Sequence, residues 1–188
     1  TSSPSTVDKE FVFSTTTTKW AALEGAKKSM MNAYTLQVFG SGLYYAADIA
    51  GSDIMRHPEA HNNQLGRHIP EGLYRNGTEV GNYNLLIYQK EGTDGAYGAL
   101  FDVIGKCNAI TSAFEEEEGF NEMMAQTKPT DESQIYGEAV ALRATCYREL
   151  IKYFGDVPCP AEFGKPAGGI ASRDSIYDVC IEQLKKVE

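Results

Sequence analysis

Apolar residues recur at helical spacing in four stretches of the chain. From Lys19 to about Gln37 they fall at Trp20, Leu23, Ala26, Met30 and Tyr34, with Val38 next in phase. Steps of three and four place such residues on one side of an α-helix. The preceding run 14–18, STTTT, offers several hydroxyl oxygens as N-caps. Gly40 and Gly42 interrupt the pattern, and a shorter helix is expected from Leu43 to about Ala50, ended by Gly51. The period returns with Tyr97, Leu100, Phe101, Ile104, Cys107, Ile110 and Phe114. After Pro129, Asp131 and Gln134 stand at capping-box spacing. The helix they open carries Ile135, Ala139, Leu142, Cys146, Leu150 and Phe154 inward, with Gly155 as its stop. The last helix begins near an N-cap Ser172 and has the cleanest stripe: Ile176, Tyr177, Cys180, Ile181, Leu184 and Val187.

These elements predict an all-α chain of antiparallel helix pairs. The helices over 97–118 and 131–155 are expected to be joined by a short acidic turn. Such αα units stack into solenoids, although no fixed repeat period is evident here. The stripe of the last helix is still running at LKKVE, as in a truncated chain or a helix that docks on something further along.

Residues 51–95 break the regularity. Gly, Asn, Pro and His are frequent there, and NGTEVGNYN is turn-like. An unpatterned loop this long is commonly functional or disordered. Its aromatic and basic residues (Arg56, Arg67, Tyr74, Arg75, Tyr83 and Tyr88) favour an ordered, functional loop, because disordered segments are poor in aromatics.

Composition narrows the class. The chain has 188 residues, 42% of them hydrophobic, and a formal charge of −9. That suits a globular domain with its own core. The acidic balance disfavours general nucleic-acid or anionic-lipid binding, which needs clustered Lys and Arg. Residues 97–134 hold eight acids and two bases, two thirds of the whole excess. Glu115 to Glu118 dominate it, and four successive carboxylates on a helix diverge rather than cage a metal.

Most chemical motifs fail. No C-x-x-C pair occurs among Cys107, Cys146, Cys159 and Cys180, and three of the four lie on apolar helix faces as small hydrophobes. Cys159, in VPCPAEF, is placed in a loop. His57 and His61 are four apart, but Pro58 pushes His57 out of helical conformation, so no metal site is expected. Asp48 and Asp53 would flank a glycosidic bond only by accident of folding. Asn76-Gly77-Thr78 reads as a turn. Trp20 reads as core packing. The loop tyrosines combine an apolar ring face with a hydroxyl, and the Arg and His beside them are donors for sugar hydroxyls or carboxylates. The candidate ligand-binding set is therefore Arg56, Arg67, His68, Tyr74 and Tyr83. A protein-contact loop would have the same composition.

The stretch YGEAVALRATCYRELIKYFGDVPC, Tyr136 to Cys159, closely resembles the signature of the SusD/RagB family of surface nutrient-binding lipoproteins, an E-A-x-x-L-R-A-x-x-Y-x-x-L helix ending in F-G-D-V-P. Four segments fit in order beside it: Thr18 to Ala26, Ala47 to Asp53, Tyr97 to Asn108, and Ser172 to Tyr177 followed by Leu184-Lys185-Lys186. The resemblance implies a TPR-like N-terminal helical region spanning residues 1–188, with the long loop at 51–95 and the C-terminal ligand-binding part missing. It implies a non-catalytic protein without a cofactor. Such a protein is anchored by an N-terminal lipid at the outer face of the outer membrane, by a signal and lipidated Cys not present in this chain. It binds a glycan or other nutrient and delivers it to a SusC-like TonB-dependent transporter. Arg56 fits the arginine that often follows the family's S-D pair. The family's loop tryptophan is absent, leaving Tyr74 or Tyr83 in its place. Arg143, within the signature, is expected to pack or to pair with Glu138 or Asp156. Two other readings are a helical-repeat scaffold that binds only proteins and a glycan-active hydrolase.

Overall fold

The computed structural model describes residues 13–32, 96–166 and 168–188. About 72% of these are helical. In chain order they form α1 (Thr16–Asn32), α2 (Ala96–Glu115), α3 (Phe120–Met124), α4 (Asp131–Phe154), β1 (Val157–Pro158), β2 (Ile170–Ala171) and α5 (Arg173–Val187). The helix expected over 43–50 and the loop expected over 51–95 lie outside the described residues. No described helix is long and apolar enough to cross a membrane.

The chain divides into two compact units. The first contains 1–28, 103–151 and 155–188. Three helices, α1, α4 and α5, start where hydroxyl side chains take up N–H groups that have no partner within the helix. At α1, Thr15 Oγ1 accepts from Thr18 N at 3.2 Å. The cap of α4 lies one residue before the expected Asp131. Thr130 takes Ser133 N at 3.2 Å, and Ser133 Oγ accepts from Thr130 N at 2.8 Å, closing the box. A hydroxyl pair suits this geometry, so Gln134 is left to bond Glu138 at 3.0 Å. Ser172 caps α5 as expected.

The connection from α2 to α4 is more structured than a simple acidic turn, because it contains α3. Phe120, which opens α3, packs edge-on against Tyr136 at 5.2 Å, and Phe114 meets the same ring at 5.8 Å. Tyr136, early in α4, thus lies beside the end of α2. Arg143, two turns further along α4, meets Asn108 and Thr111, further back in α2. The core of this unit is built from Leu23 and Ala26 of α1, Val103, Ile104, Cys107, Ile110 and Phe114 of α2, and a broad face of α4. Only Ile176 and Cys180 of α5 are buried. Tyr177, Ile181 and Leu184, expected inward, are 42%, 45% and 37% exposed. One face of α5 meets this core, and the apolar sector of the helix is wider than that face.

The end of α4 is where FGDVP folds. Gly155 has φ 71° and ψ −128°, a conformation that side chains with a Cβ resist, and its N–H still bonds Ile151 O. Asp156 Oδ1 then accepts from Arg173 N at 3.0 Å, joining the exit of α4 to the entry of α5. Val157 pairs with Ala171 and Pro158 with Ile170 in the antiparallel β1–β2 ladder. The loop this ladder closes carries Phe163 into the core.

The second unit contains 29–102 and 152–154. Among its described residues, Tyr97 contacts Phe101 and Phe154, with ring centres 4.8 and 5.1 Å apart. Met30, Leu100 and Tyr153 are buried.

Candidate functional site

All five residues assigned to ligand from the sequence, Arg56, Arg67, His68, Tyr74 and Tyr83, lie outside the described residues, as do the three histidines. Within the first unit, the described residues with the most developed polar chemistry are Lys19 and Arg143.

Lys19 opens the buried stripe of α1, in phase with Leu23, Ala26 and Met30, and is only 5% exposed. Its Nζ lies 2.7 Å from Glu117 Oε1, in the turn after α2, and 2.9 Å from Glu132 Oε2, in the first turn of α4. It also sits 4.7 Å above the centre of the Phe114 ring. Burial works against the ammonium charge, but the hydrogen bonds it donates to Glu117 and Glu132, with their charges, outweigh it and raise the lysine pKa. Burial likewise pushes the Glu132 carboxyl up. The Thr16 hydroxyl and Lys19 prevail and hold it below the usual carboxylate range.

This ion-pair group borders a concavity of about 430 Å³, whose wall also includes Glu118, Phe120 and Glu122. Four carboxylates against one lysine make the wall a hydrogen-bond acceptor surface that repels anions. A second concavity, of about 490 Å³, is lined by Met123, Met124, Pro129, Tyr136 and Val187, with Lys128 and Lys186 at its edge. No group of three His, Cys, Asp or Glu side chains among the described residues is arranged to hold a metal ion. The Glu115–Glu118 run diverges, as expected. Glu115 accepts from the Tyr136 hydroxyl at 2.9 Å, while Glu117 turns to Lys19.

Arg143 is packed inside the unit, the first of its two expected roles, and pairs with neither Glu138 nor Asp156. Glu138 is taken by Lys27 and Gln134, and Asp156 caps α5. The guanidinium is 1% exposed. Its Nη1 donates to Asn108 Oδ1 at 2.9 Å and to Thr111 Oγ1 at 3.0 Å, and its Cζ lies over the Phe163 ring, 3.6 Å from the ring centre. Nη2 is buried without a hydrogen bond. Burial pulls the guanidinium below its ordinary pKa, with Glu115 opposing. Arg143 therefore ties α2, α4 and the β1–β2 loop together from inside the core and offers no face to a ligand.

The four cysteines are all buried thiols outside any disulfide. Burial pushes Cys107 up to about 12 and Cys180 to about 11. Burial also raises Cys159 and Tyr147, and the Tyr147 hydroxyl is hydrogen-bonded to the Cys159 thiol. Such thiols are packing groups, inert as nucleophiles at neutral pH.

Sequence reasoning missed Lys19, although its phase with Leu23, Ala26 and Met30 was a usable signal. It also missed Phe163, which no periodicity marks. Neither a known protein family, nor a curated protein, nor a solved structure matches the chain.

Proposed function

We propose that this chain is the N-terminal helical region of a SusD/RagB-type nutrient-binding subunit. In this reading a glycan or oligosaccharide is held without catalysis at the outer face of the outer membrane and passed to a SusC-like TonB-dependent transporter. The subunit would be held to that membrane by an N-terminal lipid. The observation that carries the reading is the economy of the signature segment, in which nearly every residue that defines the motif has a structural task. Ala139, Tyr147 and Leu150 are buried, Arg143 binds two segments internally, Gly155 takes the positive φ that ends the helix, and Asp156 caps the next helix. A segment whose residues carry these tasks is a scaffold element, which fits a family defined by its helical frame rather than by a reactive site. The opposed contact order of α2 and α4 is what an antiparallel, TPR-like pair would give.

The ligand is assigned to the 51–95 loop, with Arg56, Arg67, His68, Tyr74 and Tyr83 as its contacts. Calorimetric titration of the full-length protein against a panel of oligosaccharides tests this. Arg56→Ala and Tyr74→Ala should each weaken binding about tenfold, the loss of one charged or stacked contact, with no change in melting temperature. Unchanged affinity in both variants would remove them from the site. Turnover of any bound glycan would exclude the non-catalytic reading. Retained transporter binding with no glycan or peptide ligand would favour a protein-binding scaffold.

A further inference from the structure

Two buried cations tie the helices of the first unit together, and their partners differ in one respect. Arg143 of α4 reaches Asn108 and Thr111 of α2, an amide and a hydroxyl that do not titrate. Lys19 of α1 reaches carboxylates, Glu117 after α2 and Glu132 of α4. The Thr16 hydroxyl of α1 also donates to Glu132. Acid therefore leaves the α2–α4 tie intact and removes the charge from the tie that holds α1.

The surroundings of Lys19 make that loss large. Glu117, Glu118, Glu122 and Glu132 border one concavity, and Lys19 is the single cation among the described residues that line it. With those carboxylates protonated, an ammonium only 5% exposed is left without a counter-charge. Breaking a buried pair from one side weakens the contact about a hundredfold at the low end, which applies because Glu117 and Glu132 are 42% and 32% exposed. The apolar face of α1 is small beside this. Within the unit it buries Leu23 and Ala26, whereas α2 buries Val103, Ile104, Cys107, Ile110 and Phe114. The second ionic tie of α1, from Lys27 to Glu138, is also to a carboxylate, and Lys27 is 41% exposed and shared with Glu24 of its own helix. Lys27 and Gln134 hold Glu138 below the ordinary carboxylate value of 4.5, as Thr16 and Lys19 hold Glu132 against the opposing pull of burial. Both ties are therefore complete above that value and are lost as pH falls through the lowered ones.

We propose that α1 is an acid-released strap: protonation of the carboxylates around Lys19 undocks residues 16–28, while α2 and α4 stay joined through Arg143 and their apolar faces.

Trp20, next to Lys19, is the only tryptophan of the chain and is half-buried, so its fluorescence reports on α1 alone. An acid titration of the 188-residue chain, followed by Trp20 emission and by far-ultraviolet circular dichroism, separates release of α1 from unfolding. The Trp20 emission should move to the red below pH 4.5, ahead of the main fall in helical signal. Hydrogen exchange read by mass spectrometry, corrected for the intrinsic rate at each pH, gives a measurement that does not depend on the indole. At the Trp20 midpoint the amides of 20–28 should have lost their protection, and those of 135–151 should have kept theirs. Lys19→Met fills the same space without the charge and should merge the early transition with the main one. Glu132→Gln, neutral at every pH, should lower the protection of 20–28 about tenfold at neutral pH, the loss of one charged partner. Circular dichroism at neutral pH checks that each variant is folded. Coincident transitions of Trp20 and helical signal in the unmodified chain overturn the proposal. So does loss of protection in 20–28 and 135–151 together, or an early transition that survives in Lys19→Met.

Discussion

Truncating Arg143 to alanine removes a side chain of α4 that reaches α2 and the β1–β2 loop at once. The two hydrogen bonds from its guanidinium come from a charged donor and are worth about 1.5 kcal/mol each at the low end of the range. Its stack on Phe163 adds about 1 kcal/mol, and the void left by its buried stem costs about 1–2 kcal/mol more. Against this stands the desolvation of a cation with no carboxylate among the described residues within ion-pair distance and with Nη2 unbonded, a relief of about 2 kcal/mol when the charge is deleted. The net loss is about 3–4 kcal/mol. For a chain of this size that lowers the melting temperature by roughly 6–16 °C. Arg143→Lys should recover little, since an ammonium has neither the planar fork for Asn108 and Thr111 nor the face for Phe163. Arg143→Met fills the volume without the charge and should lie between wild type and alanine. Urea denaturation followed by circular dichroism measures all three. A loss below 1 kcal/mol for Arg143→Ala, or full rescue by lysine, would refute the view of Arg143 as an internal tie.

Three further outcomes follow from the same interior. Glu132 titrates below its ordinary value of 4.5 when folded, so its share of stability is full above that pH and fades as pH falls through the lowered value. Glu132→Gln should flatten the acid limb of a stability profile taken from pH 7 to pH 3, and an unchanged limb would mean that Lys19 gains nothing from it. Gly155→Ala forces a Cβ into φ 71°, ψ −128°. It should cost about 1–3 kcal/mol in urea denaturation, and neutrality would show that the turn relaxes freely. Iodoacetamide at pH 8 should leave all four cysteines unmodified in the native chain and label all four in guanidinium, read by mass spectrometry. Rapid native labelling of Cys107 would contradict the upward pull of burial on that thiol.

The local features were legible because they depend on neighbours within a turn or two. The stripe of α2, most of that of α4, the stop at Gly155 and the cap at Ser172 can be read from spacing and residue type; on α1 this holds for Leu23, Ala26 and Met30, but Lys19 is buried where Trp20, expected in the core, is only half-buried. The α4 cap was misplaced by one residue because Asp131 and Thr130 are equally good caps by composition. The choice between them rests on Ser133, whose hydroxyl returns to the Thr130 N–H. The helix inside the α2–α4 connection was hidden because five residues carry too little periodicity. Phe120 is held there by Tyr136, which lies 16 positions along the chain from it.

By itself, the sequence determined that the described part of the chain is mostly helical, where α2, α4 and α5 begin within a residue or so, and that three of its four cysteines lie on apolar helix faces. It also held the pattern from which a nutrient-binding role is proposed. Only the tertiary structure decided that Lys19 is buried between two carboxylates and that Arg143 bonds Asn108 and Thr111 instead of an acid. It alone decided that half of the best apolar stripe, on α5, faces solvent. The reason is the same in each case. Helical periodicity records which residues share a side, but whether that side is covered, and by which polar groups, depends on segments distant in sequence whose arrival no local pattern encodes.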